Sequence, residues 1–174
     1  LLLFSVSLLL YNSAFSTDGI RVDYTVSMEN PNQHYFHVTC YYSGFTEEDI
    51  TFRLPVWTPG YYMIMDYPRN VVGFEAFDSE GRKLKWIKTS KNSWQIHCGN
   101  IRDVRINYDV YAFRISVADS YLDDGRGFIS PTGIFMHPEG KLNLPVTVKI
   151  VPYEKFSNVS TGLDGVPGAV NTFY

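Results

Sequence analysis

From Ile20 to Met28 the chain alternates strictly. Ile20, Val22, Tyr24, Val26 and Met28 are apolar, and Arg21, Asp23, Thr25 and Ser27 between them are polar. A period of two is the spacing of a strand with one dry and one wet face, and a helix would scatter the same residues around its axis. The pattern returns in Phe36, Val38 and Cys40 within Tyr35 to Tyr42, and Asn30-Pro31-Asn32 supplies a turn that folds the two segments into a hairpin. Ile50, Phe52 and Leu54 give a third inward face, preceded by Thr46-Glu47-Glu48-Asp49, which predicts one capped helical turn. Val72, Phe74 and Ala76 lead to a hairpin turn at Asp78-Ser79-Glu80-Gly81, after which Leu84 and Trp86 run back with Lys83, Lys85 and Lys88 exposed. Trp94 and Ile96 form a short strand, and both Trp86 and Trp94 are in phase with apolar neighbours, as core residues would be. Val104, Ile106, Tyr108 and Val110 alternate through a longer strand. The phase then slips to Phe113, Ile115 and Val117, which predicts a bulge near Ala112. Val146, Val148 and Ile150 form the last strand. About eight to ten short strands with frequent turns predict an all-β fold, an antiparallel sandwich or a saddle-like pair of sheets.

The 174 residues are enough for one domain with a sizeable core, and an aromatic content of 16% suits a β-rich one. A net charge of −3, with Lys and Arg scattered, leaves no basic footprint for nucleic acid or anionic lipid. Leu1 to Leu10 are almost wholly apolar, and Ala14-Phe15-Ser16 fits a small-x-small cleavage site before Thr17. Residues 1–16 therefore read as a signal peptide already truncated at its start. The run is too short to span a bilayer, so the expected location is periplasmic or extracellular. Residues 17–174 then form the folded domain, and both ends look cut from something longer. Cys40 and Cys98 could pair chemically in an oxidising compartment, but Cys40 is in phase with Phe36 and Val38, so buried free thiols are expected.

Alternation breaks from Leu54 to Asn70. Pro55, Pro59 and Pro68 remove backbone donors there and Gly60 permits a positive φ, so the segment is a long loop. It carries Trp57, Tyr61, Tyr62 and Tyr67, and a loop displaying large aromatics either packs over one end of a sandwich or meets a partner. Asp66 and Arg69 are spaced for a local ion pair. A second irregular region runs from Asp119 to Gly140, where Asp123-Asp124 before Gly125 read as a solvated turn rather than an acid/base pair or a calcium site. The glycine-rich run from Gly162 to Gly168 reads as a connection toward a further segment. Of the four histidines, only His34 and His37 are close, and in a predicted strand their rings would point to opposite faces, which argues against a shared metal. No His-Glu-x-x-His helix, nucleophile elbow or phosphate loop is present. Asn158-Val159-Ser160 matches a glycosylation sequon too short to support an inference.

Pro55-Val56-Trp57-Thr58-Pro59-Gly60-Tyr61, followed by Asp66-Tyr67-Pro68-Arg69-Asn70-Val71, resembles the signature segment in the N-terminal domain of the glycyl aminopeptidase family. These are secreted zinc metallopeptidases of the gluzincin type that usually end in a PDZ domain. Val110-Tyr111-Ala112-Phe113, Tyr121-Leu122-Asp123-Asp124, Gly127-Phe128 and Leu144-Pro145-Val146-Thr147-Val148 are similar to that domain's second half. The resemblance implies a non-catalytic domain with no cofactor of its own, with the zinc domain following Tyr174 in the parent enzyme. It also implies two partners, the catalytic domain of the same polypeptide and peptide N-termini as substrate. Trp57, Tyr61, Tyr62, Asp66 and Arg69 are the candidate substrate-binding or inter-domain residues. One departure is Ala118, where relatives commonly carry Arg, and it weakens any transfer of roles to Asp119 through Gly127. The residues themselves leave a second reading open, a free-standing exported module whose Trp57, Tyr61 and Tyr62 stack on sugar rings or a protein.

Overall fold

The structure, a computed structural model, describes residues 19–174. The proposed signal peptide lies outside the described residues. Alternation places one face of each long strand inward, and two sheets close on those faces. The larger sheet contains β1 (Arg21–Ser27), β2 (Tyr35–Ser43), β4 (Val71–Asp78), β7 (Asp103–Tyr111), β11 (Val146–Val151) and β12 (Thr172–Phe173), in the order β12-β11-β1-β2-β7-β4. The smaller contains β3 (Asp49–Arg53), β5 (Trp86–Ser90), β6 (Ser93–His97) and β10 (His137–Pro138), in the order β10-β3-β6-β5. A separate hairpin pairs β8 (Tyr121–Leu122) with β9 (Gly127–Phe128). Four of the twelve strands are two residues long, and the eight longer ones carry the sandwich.

Val26, Phe36, Cys40, Tyr42, Ile106 and Tyr108 of the larger sheet are buried, as are Phe52, Trp94 and Ile96 of the smaller. Edge contact of Tyr42 on Phe52 and stacking of Phe74 on Trp94, with ring centroids 6.0 and 5.6 Å apart, mark where the sheets meet. Two buried tyrosines of the larger sheet reach across to the chain after the short helix α1 (Pro131–Ile134). Tyr108 Oη donates to the Ile134 carbonyl at 2.9 Å and accepts from the Met136 N–H at 3.0 Å, while Tyr24 Oη donates to the Met136 carbonyl. These bonds satisfy backbone groups that a non-strand segment would otherwise bury unpaired. Cys40 and Cys98 are both buried and free, and burial raises both thiols, Cys98 to about 11.

The expected β1–β2 hairpin forms, with a register from Arg21 opposite Ser43 to Ser27 opposite His37. The turn at Asp78 also forms. Asp78 Oδ1 accepts the N–H groups of Glu80 and Arg82, and the Arg82 side chain bonds to Oδ2 and holds this carboxyl below its usual range.

Four expectations need correction. Thr46 to Asp49 is an open bend rather than a helical turn. The Glu48 carbonyl is drawn into bonds from the N–H groups of Cys98 and Gly99, at 2.7 and 2.9 Å, and cannot start a helical ladder. Trp86 is 38% exposed, because β5 is an edge strand with every residue exposed, while Trp94 on the inner strand β6 is 3% exposed. No bulge bends β7 near Ala112. That strand ends at Tyr111, the register shift lies in β4 between Val72 and Glu75, around Gly73 at φ 66°, and Phe113, Ile115 and Val117 are exposed. The expected all-β, mostly antiparallel sandwich and its last strand β11 both form, and β11 adds one parallel pairing, with Val22 of β1 opposite Val146 and Ser27 opposite Val151. The Gly162 to Gly168 run does not lead away, since Gly165 bridges Phe173 and β12 pairs with β11 at the sheet edge.

Candidate functional site

The aromatic loop is closed at its base and open at its tip. Leu54 is buried and held by Asn92, whose carbonyl accepts the Leu54 N–H at 3.0 Å and whose side-chain amide donates to the Leu54 carbonyl at 2.8 Å. The Met65 N–H reaches the Val56 carbonyl at 2.7 Å, so the strands of the loop join just above that anchor. Pro59 and Gly60 occupy the centre of a turn closed by the Tyr61 N–H on the Thr58 carbonyl, and Gly60 at φ 83° takes the position that favours glycine. Met65, Tyr67 and Pro68 return to the core, where Tyr67 Oη donates to the Ala118 carbonyl at 2.9 Å. Gly133 packs so closely on the Tyr67 ring that a Cβ there would sit 3.2 Å from its edge.

Of the residues singled out from sequence, Trp57 is 46% and Tyr62 92% exposed, and Tyr61 is half-buried against the core. Met63 and Ile64, which sequence reasoning passed over, are exposed beside Tyr62. Asp66 does not pair with Arg69. Its carboxylate meets Lys91 Nζ at 2.8 Å, because the turn between β5 and β6 passes beside the loop, and Arg69 is exposed.

A second segment leaves the sandwich at the same end. β4 begins at Val71, directly after the aromatic loop, and Val71 pairs with Val110 near the end of β7. The chain that follows exposes Tyr111, Phe113, Ile115 and Val117, then dives inward at Ala118, Asp119 and Ser120. Phe113 stacks between His34, centroids 3.7 Å apart, and Tyr121, 5.4 Å apart. Tyr121 Oη donates to Asp123 Oδ2 at 2.7 Å, which holds the Asp123 carboxyl below its usual range, and Asp123 Oδ1 takes the Gly125 and Arg126 N–H groups. Asp123 is thus a turn acid, as expected. The odd-position apolar residues 113, 115 and 117 were the signal for this exposed run, but alternation cannot say which face is covered.

Exposed apolar side chains on two loops at one end of a sandwich suit contact with another surface better than chemistry. Among the described residues no group of three His, Cys, Asp or Glu side chains is placed to hold a metal ion. A larger apolar hollow of about 360 Å³ lies near the β11–β12 edge, lined by Phe36, Phe135, Ile150 and Phe156, and no ionisable side chain lines it.

Residues 23–174 match a family model described as the peptidase M61 N-terminal domain. A crystal structure of an aminopeptidase N family protein from Idiomarina loihiensis is 28% identical, with a TM-score of 0.77 over 87% of this chain and 26% of that one. An M1 zinc metallopeptidase from Deinococcus radiodurans is 12% identical, with a TM-score of 0.40 over 76% of this chain and 32% of that one. The chain thus spans about a quarter of the Idiomarina protein's length. No curated protein matches it.

Proposed function

This chain belongs to the peptidase M61 N-terminal domain family, and from that premise we propose that it docks on the catalytic domain of a zinc aminopeptidase and walls one side of the peptide cleft. It is a non-catalytic N-terminal domain, and its relatives sit in peptidase chains that also contain a catalytic domain. The observation that carries the docking role is the exposed group Trp57, Tyr62, Met63 and Ile64 on a loop whose base is fixed by Asn92 and Tyr67. A rigid base lets such a loop bury aromatic area with little ordering cost. Zinc belongs to the catalytic domain, and the substrate of the parent enzyme is a peptide N-terminus. Export is part of this reading, supported by the apolar run from Leu1 to Leu10, and a mature protein starting at Thr17 by intact mass is the observation that tests it.

The test is hydrogen exchange on the parent enzyme and on this chain alone. Amides from Trp57 to Ile64 exchange more slowly in the parent, and Trp57→Ala with Tyr62→Ala lowers parent kcat/KM toward aminoacyl substrates by roughly tenfold, the loss of about 1.4 kcal/mol of positioning. Equal exchange rates in the two proteins would remove the docking role.

A further inference from the structure

Below the two loops lies a cleft of about 100 Å³ lined in part by Arg69, Asn70, Arg114, Asp119 and Ser120. Its chemistry is unbalanced. Asp119 is 6% exposed, and its Oδ2 accepts no hydrogen bond. The Arg114 Nε approaches that oxygen only to 3.4 Å, without hydrogen-bond geometry, from a side chain that is mostly in solvent. Arg69 has no ion-pair partner among the described residues. A buried carboxylate oxygen without a donor is costly, and it is retained where something else supplies the donor.

We propose that this cleft binds a free α-amino acid, with its ammonium on Asp119 and its carboxylate toward Arg69 and Arg114. A simple anion would meet Asp119, and a simple cation would meet two guanidinium groups, whereas a zwitterion satisfies both signs. Arg114 gives up only a loose contact when the ammonium takes its place, and its guanidinium then turns to the carboxylate, where a forked pair forms. The cleft is open to solvent along part of its rim, so the amino acid is held by its two charged groups and its side chain can project outward. The inference does not rest on the docking role, since it uses only groups within this chain.

The experiment is an NMR titration of this chain with three probes, glycine, methylammonium and acetate. Glycine shifts the amides of Asn70, Asp119 and Ser120 saturably, and each single-charge probe binds roughly tenfold or more weakly, as loss of one charge-assisted contact requires. Asp119→Asn and Arg69→Met each abolish the glycine shifts. Absence of saturable glycine shifts in the unaltered chain overturns the proposal, as does acetate or methylammonium binding as tightly as glycine. These comparisons need no variant to fold.

Discussion

Replacing Tyr108 by phenylalanine removes one oxygen atom from the middle of the core. That oxygen serves two backbone groups at once, accepting from the Met136 N–H and donating to the Ile134 carbonyl, at a side chain that is 1% exposed. Tyr108→Phe keeps the ring and its stacking on Phe74, so the loss is electrostatic rather than steric. Each orphaned group costs about 1–3 kcal/mol, which places the change at about 2–5 kcal/mol after the short helix has relaxed. For a domain of this size that lowers the melting midpoint by roughly 5–15 °C. Two controls fix the interpretation. Tyr24→Phe orphans only the Met136 carbonyl and costs about 1–2 kcal/mol, and Tyr41→Phe on the exposed face stays within about 0.5 kcal/mol. Urea unfolding followed by tryptophan fluorescence, with an unchanged m-value, measures all three. If Tyr108→Phe loses no more than Tyr24→Phe, the chain through Ile134 and Met136 is held by something other than that hydroxyl.

Two further outcomes follow from burial. Trp94→Ala costs about 3–5 kcal/mol because its ring is enclosed against Phe74, whereas Trp86→Ala on the edge strand costs about 1 kcal/mol or less; equal melting temperatures for the two would contradict the facing of β5 and β6. Burial raises the acids Tyr24, Tyr108 and Cys40 above the ordinary values of 10.0 for the phenols and 9.0 for the thiol, so the folded state keeps protons that the unfolded chain gives up. The stability they confer is whole below about pH 9 and declines above it, by about 1.4 kcal/mol per pH unit for each group past its unfolded value. An unfolding free energy that stays flat from about pH 8 to about pH 11 would contradict their burial.

What the sequence determined by itself is the inward face of the most strictly alternating strands. In β1, β2 and β7 every second residue is buried, as alternation requires, because side-chain direction in a strand is a local property of the backbone. The loop from Leu54 to Asn70 was legible for the same kind of reason, since proline and glycine act on their own dihedrals. The ordered motifs from Pro55 to Val148 were enough to point to the peptidase family. Coverage and partnership are not local. Ile87 and Trp86 look like core residues but lie on a strand that ends its sheet, and nothing within β11 records that it will run parallel to β1. The hydroxyl of Tyr24 meets a carbonyl 112 positions away, and Asp66 meets Lys91 instead of its neighbour Arg69. The cleft around Asp119 joins residues from the aromatic loop, the end of β7 and the helix near Gly133. Only the folded chain brings those segments together, so the groups with the most to say about binding are the ones that sequence order keeps apart.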